Sequence, residues 1–456
     1  MKYYIWTSGC QMNVADSRRV ASALERLDYQ PTDRAETADV IVLNTCVVRE
    51  SAEESARGRI GSLRRIKDKN PDVVINVMGC LVGVGGHREL EEEYPYVDVF
   101  SPPSDPGPLM AYLTQDEDKA YQKEATSRRF AFMDGDLELP AADQLKLFSA
   151  YVPIVLGCSH ACTYCVIPFR RGIERSRPLQ DVVKEVQALV SQGVKEITFL
   201  GQIVDRYGLD LPDKPSLSDL LWEVHEIQEL KRIRFLTSHP SWFNVELVDT
   251  VAALPKVMPY IEVPNQSGDD EILAAMRRGY TADEYRSLIH QIRERIPDVG
   301  IATDLIVGFP GETREQFQRT YDLLEELRLD VAHIARYSAR PKTVASRKME
   351  DDVSEEEKWW RFRRLERLQE KIAGEINAAY KGSTVEVLFE GRDRKGRWRG
   401  RTPNHKLVFV ESDQDVRGKT LPVNVTWAGP WSMQGQLIAQ DNPEMPIYPT
   451  KEGLRS

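Results

Sequence analysis

Three cysteines near the amino terminus each follow a β-rich run, and this placement constrains the fold more than any other feature of the chain. The runs cover residues 2–8, 39–44 and 73–78, and the cysteines that follow them are Cys10, Cys46 and Cys80. Residues 16–27 and 51–69, which lie between the runs, have helical apolar spacing. The order β-α-β-α-β predicts parallel strands joined by right-handed crossovers.

Parallel strands of this kind all end at one edge of the sheet, which is where ligands bind. We therefore expect the amino-terminal triplet (Cys10, Cys46 and Cys80) to converge on one point. The alternative is three buried free cysteines, because cysteine is among the residues most often found in protein cores.

A second set of cysteines, the central triplet, is tightly spaced and reads Cys158-Ser-His-Ala-Cys162-Thr-Tyr-Cys165. Cysteine thiolates are the usual ligands of iron–sulfur clusters, and three of them hold three irons of a [4Fe–4S] cluster. The fourth iron keeps an open position, as reactive metal sites do. The alternatives are zinc and a disulfide framework. Zinc sites combine separated Cys or His pairs, and no second close pair follows here, while disulfide frameworks suit short secreted chains.

The chain of 456 residues is long enough for two or three domains with cores of their own. No apolar stretch approaches the roughly 20 residues that span a bilayer, and the amino terminus lacks the features of a signal peptide. We therefore expect a cytoplasmic protein that does not bind membranes. The net charge of −10 argues against indiscriminate binding to nucleic acid, so any such contact has to be local.

The pattern along the chain predicts an α/β protein with three folded units. Residues 1–113 are expected to form an open parallel α/β sheet, residues 114–144 a linker, and residues 145–380 a partial (βα)6 barrel. The barrel prediction rests on six β-rich runs with helical patterns between them, at residues 151–156, 196–200, 233–237, 260–263, 300–307 and 331–337. Short strands predict a small antiparallel β-barrel or sandwich at residues 381–445, and residues 446–456 are expected to form a tail.

Glycine and polar residues stand at the predicted carboxyl ends of the barrel strands, where such barrels place their active sites. The candidates for this rim are Gln202, Ser238, Gln266, Asp304 and Gly308. Each short motif alone is also typical of a turn or a helix cap, and Thr313 is a suitable helix N-cap. Tyr164 lies between two cysteines of the central triplet, where its ring would shield a cluster or stack on a nucleoside.

A basic stretch at residues 391–406 contains seven Lys or Arg residues and one Asp. Arginines interleaved with a tryptophan and glycines are typical of loops that bind RNA phosphates and stack on bases. The candidate RNA-binding residues are Arg392, Arg394, Lys395, Arg397, Trp398, Arg399 and Arg401. The alternative is a charged hairpin that only presents a solvated face.

These motifs together resemble a known family. The central triplet resembles the radical S-adenosylmethionine signature. The residues around the amino-terminal triplet, with residues 237–240, 264–268 and 306–313, resemble those of the methylthiotransferases. The carboxyl-terminal unit resembles a TRAM domain, which is an RNA-binding β-barrel.

The resemblance implies an enzyme with two [4Fe–4S] clusters that uses two S-adenosylmethionine molecules per turnover. The central triplet would bind the cluster that cleaves S-adenosylmethionine, and the rim residues with Tyr164 would bind this cofactor. Sulfur would arrive through the cluster on the amino-terminal triplet. The resemblance also implies tRNA as the partner, an electron donor such as flavodoxin or ferredoxin, and a monomeric enzyme.

Three short strings resemble the branch that adds a methylthio group to C2 of N6-isopentenyladenosine next to the tRNA anticodon. They are residues 9–13 (GCQMN), 47–50 (VVRE) and 400–402 (GRT). Two sister branches are alternatives, one acting on N6-threonylcarbamoyladenosine in tRNA and one on an aspartate of a ribosomal protein. An alternative from another class is an RNA-binding iron–sulfur protein that senses redox state. The chain departs from the family pattern at Ile203, Asp205 and Asn265, none of which is a cluster ligand.

Overall fold

The computed structural model describes residues 1–115, 138–141, 143–144 and 146–438. The chain divides into two compact units, of which the first comprises residues 1–145, 150–216 and 340–343 and the second residues 146–149, 217–339 and 344–456. Most of the predicted linker, residues 439–445 of the predicted β-barrel and the whole predicted tail lie outside the described residues. No helix among those described is long and apolar enough to cross a membrane.

The first unit contains a parallel sheet flanked by helices. Its strands are β1 (Lys2–Thr7), β2 (Gln30–Pro31), β3 (Val40–Thr45), β4 (Val74–Gly79) and β5 (Val99–Ser101). Its helices are α1 (Gln11–Glu25), α2 (Glu50–Lys69), α3 (Arg88–Glu93) and α4 (Gly107–Thr114). All neighbouring strands are parallel, in the order β2-β1-β3-β4-β5, which confirms the predicted sheet. Helix α1 begins earlier than predicted, directly after Cys10.

The first unit also holds the start of the predicted central barrel. These elements are β6 (Ser149–Pro153), β7 (Val155–Leu156), α5 (Ile167–Arg171), β8 (Arg175–Ser176), α6 (Leu179–Ser191) and β9 (Glu196–Leu200). Strand β6 lies beside β9, and β7 pairs antiparallel with β8. Helix α6 is amphipathic, because its apolar residues recur on one buried face, which includes Val182, Val186 and Leu189.

The second unit continues the alternation of strands and helices. Its strands are β10 (Arg232–Phe235), β11 (Tyr260–Glu262), β12 (Gly300–Val307) and β13 (Val331–Arg336). Its helices are α7 (Leu217–His225), α8 (Val245–Ala253), α9 (Asp270–Ala275), α10 (Ala282–Arg295), α11 (Arg314–Leu327), α12 (Val344–Lys348) and α13 (Glu355–Ala378). Strands β11, β12 and β13 form a parallel sheet in that order. Thr313 accepts a hydrogen bond from the Gln316 backbone N–H and caps α11, as predicted.

The carboxyl-terminal part of the second unit is a closed five-stranded barrel. Its strands are β14 (Thr384–Arg392), β15 (Trp398–Arg401), β16 (Leu407–Val410), β17 (Thr420–Ala428) and β18 (Met433–Leu437). They close in the order β14-β15-β16-β18-β17 around a core that includes Val387, Phe389 and Trp398. The predicted small barrel is confirmed, with one parallel pair, β16 and β18, among antiparallel ones.

Candidate functional site

The amino-terminal triplet gathers at one edge of the five-stranded sheet. Cys46 and Cys80 follow directly after the neighbouring strands β3 and β4, and Cys10 lies at the N-cap of α1. The Cys80 N–H donates to the Thr45 carbonyl at 3.0 Å, which joins the two strand ends. The predicted convergence is therefore present in the fold, because three adjacent parallel strands end together.

Two glycines allow this close approach. Gly9 and Gly79 have positive φ angles of 105° and 99°, which side chains rarely adopt. A Cβ atom at Gly9 would lie 2.3 Å from Cys46 Cβ and 2.8 Å from its Sγ, and one at Gly79 would lie 2.5 Å from the Thr45 carbonyl oxygen. Each glycine thus brings the backbone against a residue at or next to a triplet cysteine.

Burial makes the amino-terminal thiols poor acids on their own. It raises the pKa of Cys80 to about 11 and also raises the pKa of Cys46, and the Cys10 thiol adds to both shifts. A metal ligand has to be a thiolate, so binding at this site releases protons. The negative charge then needs a positive counterpart within the protein.

Arg171 supplies that positive charge. Its side chain, at the end of α5, is 1% exposed. Its Nη2 donates to Asn13 Oδ1 at 2.7 Å, and Nη1 lies 3.9 Å from Asp16 Oδ2. The neighbouring charges of Cys80, Cys10 and Asp16 raise the pKa of Arg171, although burial opposes this, and the guanidinium lowers the pKa of Cys80. Sequence reasoning missed this residue, which follows the central triplet in the chain and shows no motif of its own.

The central triplet begins at a tight turn after β7. Gly157 has a φ of 71°, and a Cβ there would lie 2.2 Å from the Ile173 carbonyl oxygen. Cys158 is buried against Ile167 and Ile203, and burial raises its pKa to about 11. The His160 N–H donates to Cys158 Sγ at 3.4 Å, a contact that favours the thiolate.

The other two cysteines of the central triplet, Cys162 and Cys165, are half-buried, and so is Tyr164. The Cys165 N–H donates to the Cys162 carbonyl at 3.2 Å, which folds this short segment back on itself. Among the described residues, no three His, Cys, Asp or Glu side chains are placed to hold a single metal ion. A mononuclear site draws sulfur to about 2.3 Å from one metal, whereas in a cluster each thiolate binds a different iron.

The predicted rim residues divide between the two units. Gln202 follows β9 in the first unit and is half-buried. In the second unit, Ser238 and Gln266 follow strands β10 and β11 and are buried, whereas Asp304 lies within β12 and is half-buried. Gly308 follows β12 with a φ of 70°, and its N–H donates to Glu312 Oε2 at 2.6 Å.

Glu262 and Asp304 form a carboxylate pair that the sequence analysis did not single out. Glu262 pairs in register with Ala302, and Asp304 lies two residues further on the same face of the sheet. Burial and the Asp304 charge raise the pKa of Glu262 to about 7. His333, which is exposed, lies opposite Asp304 in β13. The signal in the sequence was a carboxylate, Asp304, within the otherwise apolar strand β12. The arrangement of Glu262 and Asp304 suits proton transfer near neutral pH.

The predicted RNA-binding residues fall into two groups in the barrel. Arg392, Arg394, Lys395 and Arg399 are exposed, whereas Arg397 and Arg401 are half-buried. Arg397 forms a salt bridge with Asp393 at 2.8 Å. Trp398 is 2% exposed and belongs to the barrel core, where its Nε1 donates to the Ser412 carbonyl at 3.1 Å. The ring of Trp398 thus packs inside the barrel, and its alternation with the less buried Arg397 and Arg399 is that of a strand.

The turn between β15 and β16 attaches the barrel to the strands of the second unit. Arg232 Nη1 donates to the Arg401 carbonyl at 2.8 Å, and Arg234 Nη1 donates to the Pro403 carbonyl at 2.8 Å. His405 stacks on Tyr260 with ring centroids 4.5 Å apart. Burial, and then the neighbouring arginines, lower the pKa of His405. This end of the basic stretch therefore has a structural role.

The fold and the central triplet define the class of radical S-adenosylmethionine proteins. Residues 152–324 match the radical SAM superfamily, residues 378–438 the TRAM domain, and residues 2–101 the uncharacterized protein family UPF0004. The radical S-adenosylmethionine methyltransferase TsrM from Kitasatospora setae has a TM-score of 0.56 and 18% identity, covering 76% of this chain and 75% of that chain. At this identity the likeness shows the fold alone.

Sequence identity to named relatives shows the family to which the chain belongs. The tRNA-2-methylthio-N(6)-dimethylallyladenosine synthase of Roseiflexus sp. (strain RS-1) is 49% identical and covers 96% of this chain and 90% of the relative. The protein of the same name from Herpetosiphon aurantiacus is 48% identical, with 96% and 98% covered. The chain belongs to the tRNA-2-methylthio-N(6)-dimethylallyladenosine synthase family.

Proposed function

We propose that the protein adds a methylthio group to C2 of N6-isopentenyladenosine next to the anticodon of tRNA. The observation that carries the proposal is the 42–49% identity to seven relatives of that name over 95–96% of the chain. The closed barrel at the TRAM position supports RNA as the substrate, because this domain type binds RNA.

Cys158, Cys162 and Cys165 would hold a [4Fe–4S] cluster with one open iron. When bound, this cluster supplies the electron that cleaves S-adenosylmethionine, and a donor such as flavodoxin or ferredoxin would replenish it. The His160 N–H favours the Cys158 thiolate, while the apolar packing of Cys158 against Ile203 limits water at this site and opposes ionisation. Tyr164 lies within the triplet and Gln202 directly precedes Ile203, which packs against Cys158, so both are candidates to line the cofactor site.

Cys10, Cys46 and Cys80 would hold a second cluster, through which sulfur is delivered. Arg171 would offset the negative charge of these buried thiolates. The two-cluster arrangement, the use of two S-adenosylmethionine molecules per turnover and a monomeric state are parts of the same proposal.

In the second unit, Ser238, Gln266, Asp304 and Gly308 would line the cofactor rim. Glu262 would hold a proton at its carboxylate, since a pKa near 7 lets it gain or lose that proton at neutral pH. The exposed basic residues of the barrel, Arg392, Arg394, Lys395 and Arg399, would contact tRNA phosphates.

An anaerobic turnover assay tests the proposed function. Reconstituted protein, S-adenosylmethionine and a reductant are incubated with tRNA that carries either N6-isopentenyladenosine or N6-threonylcarbamoyladenosine. Mass spectrometry of the nucleosides is expected to find the methylthio product only with the isopentenyl substrate. Product only with the tRNA that carries N6-threonylcarbamoyladenosine would support the proposed chemistry and contradict the proposed substrate. Deoxyadenosine without a modified tRNA would redirect the test to the ribosomal protein.

A further inference from the structure

The amino-terminal half of α13 lies at the carboxyl edge of the sheet in the second unit. The side chain of Lys358 packs on Gly308, where an added Cβ would lie 2.3 Å from Lys358 Cγ. Arg361 Nη1 pairs with Glu312 Oε2 at 2.7 Å, and both side chains are buried. Because Gly308 follows directly after β12, the first turns of α13 border the predicted rim.

The outer side of these turns exposes two adjacent tryptophans. Trp359 is 41% exposed and Trp360 is 43% exposed. The Arg336 guanidinium lies 3.9 Å from the centroid of the Trp359 ring, and that of Arg363 lies 5.3 Å from it. Such stacking keeps a guanidinium oriented while its N–H groups face outward.

Two more arginines lie against the second tryptophan. The Arg314 guanidinium lies 5.4 Å from the centroid of the Trp360 ring, and that of Arg364 lies 5.2 Å from it. We call these six side chains the Arg–Trp patch; they are Trp359, Trp360, Arg314, Arg336, Arg363 and Arg364.

The charges of the Arg–Trp patch are only partly neutralised. Glu355 pairs with Arg336, and Glu357 pairs with Arg314 at 2.7 Å. Within the part of the chain that the structure describes, neither Arg363 nor Arg364 forms a salt bridge. Two guanidiniums without carboxylate partners, beside exposed aromatic faces, have the chemistry that binds phosphates and stacks on bases.

We infer that the Arg–Trp patch binds the anticodon arm of the tRNA at the edge of the rim. Arg363 and Arg364 contact backbone phosphates, and Trp359 stacks on an unpaired base. The inference rests on the proposed function, since it assumes a tRNA substrate. It adds a contact surface outside the TRAM barrel, on an overall acidic protein in which RNA contacts have to be local.

Equilibrium binding of the full-length reconstituted protein to tRNA carrying N6-isopentenyladenosine tests this inference. Arg363→Ala is expected to weaken binding several-fold and to lower the slope of log affinity against log salt by about 0.9, as the loss of one phosphate contact does. Trp359→Ala is expected to weaken binding about tenfold and to leave the slope unchanged, because stacking is uncharged. Both variants should reach the wild-type turnover rate at saturating tRNA.

Matched controls come from exposed residues of the same unit that lie outside the patch. Lys231→Ala, just before β10, and Trp222→Ala, on α7, are expected to bind tRNA like the wild type. Patch variants that match these controls, in a protein that binds and modifies tRNA, would overturn the inference and leave the proposed function standing. Loss of reduction by flavodoxin with unchanged tRNA affinity would assign the patch to a protein partner instead. A wild-type protein that binds no tRNA would overturn the proposed function itself.

Discussion

Arg171 is a buried arginine whose charged neighbours include cysteine thiols. Its positive charge opposes the rise in the pKa of Cys80 that burial causes, and its Nη1 lies 3.9 Å from Asp16 Oδ2. A cluster with three thiolates at this edge would bring negative charge to a site where Cys46 and Cys80 are buried. Without a buried cation, that charge would be costly.

The first prediction concerns this charge. Arg171→Met is expected to destabilise the protein by about 3–5 kcal/mol, because it removes a buried positive charge that lies 3.9 Å from the buried Asp16 carboxylate. Urea unfolding of the apoprotein measures this loss. Iron content after reconstitution should fall to that of the central cluster alone.

The double variant Arg171→Met/Asp16→Asn is the control for Arg171. It removes both buried charges, so the unfolding free energy should recover while the lower iron content remains. If the double variant regained full iron content, the guanidinium would not be needed to hold the thiolates.

The second prediction concerns the proton on Glu262. Its pKa in the folded protein is about 7, above its ordinary value of 4.5, so the folded state binds the extra proton between these pH values. Stability therefore falls as pH rises from about 5 to 7. Glu262→Gln should remove this fall and stabilise the protein above pH 7 by about 3 kcal/mol, a figure from the shift of the pKa. Urea unfolding across pH measures it.

Asp304→Asn is the companion variant for Glu262. Removing the neighbouring negative charge lowers the pKa of Glu262, so the fall in stability should move to lower pH and become smaller. An unchanged pH profile in both variants would show that Glu262 is ionised in the folded protein at neutral pH.

The ends of secondary-structure elements position the candidate cluster ligands, and the turn after β4, which positions Cys80, is the clearest example. Gly79 adopts a positive φ and its α-carbon faces the Thr45 carbonyl, so the chain reaches Cys80 in one residue. A helix or a longer loop at this point would carry the thiol away from Cys46.

The third prediction tests this turn. Gly79→Ala is expected to displace Cys80, since the added Cβ would lie 2.5 Å from the Thr45 oxygen. Iron content should drop, and the methylthio product should be lost while S-adenosylmethionine cleavage continues. Gly61→Ala is the control, because α2 has open space there and alanine favours helix by about 0.5–1 kcal/mol. Normal product formation by Gly79→Ala would contradict the need for a close turn.

The turn between β15 and β16 attaches the carboxyl-terminal barrel to strands β10 and β11. His405 stacks on Tyr260 beside Arg232, Arg234 and Arg401, and burial with these positive charges lowers its pKa. A histidine whose pKa is lowered in the folded state contributes stability above its ordinary pKa, and this contribution is lost as pH falls below about 6.5.

The fourth prediction follows from this sign. As pH falls below about 6.5, His405 takes up a proton more readily in the detached barrel than in the attached one, so the attachment should weaken and proteolysis at the barrel edge should speed up. His405→Phe keeps the stacked ring without a titrating group, so its proteolysis should depend less on pH. Equal acid sensitivity in the wild type and His405→Phe would exclude His405 as the cause. His290, a histidine of α10, provides a matched substitution elsewhere in the unit.

At the scale of the whole molecule, two cysteine triplets divide the proposed reaction between them. Both belong to the first unit, and Arg170, which follows the central triplet, donates to the Leu81 carbonyl beside the amino-terminal one at 3.2 Å. The segment after the central triplet thus helps to build the site of the other triplet.

The fifth prediction separates the two triplets. Replacing Cys158, Cys162 and Cys165 with Ala should abolish formation of deoxyadenosine from S-adenosylmethionine. Replacing the amino-terminal triplet should leave that cleavage intact and stop formation of the methylthio product. Anaerobic assays with quantification of both products measure the difference. Loss of cleavage in the second variant, with a folded protein by circular dichroism, would contradict the division of roles.

Local pattern was enough to predict a parallel sheet and the convergence of Cys10, Cys46 and Cys80. Parallel β-α-β units leave few topologies, and residues directly after adjacent strands have to meet. The same logic identified Thr313 as a cap, since capping depends on neighbours within one turn. Strands β15 and β18 were not predicted, because short strands rich in arginine or glutamine lack an apolar alternation.

By itself, the sequence determined the candidate ligands, the order of the elements and the family, all of which depend on residues close together in the chain. Only the tertiary structure decided that Arg171 contacts Asn13, 158 positions away, that Asp304 raises the pKa of Glu262, and that Trp398 fills a core instead of facing RNA. The physical reason is that charge compensation and burial depend on which distant segments pack together. No local pattern records those contacts.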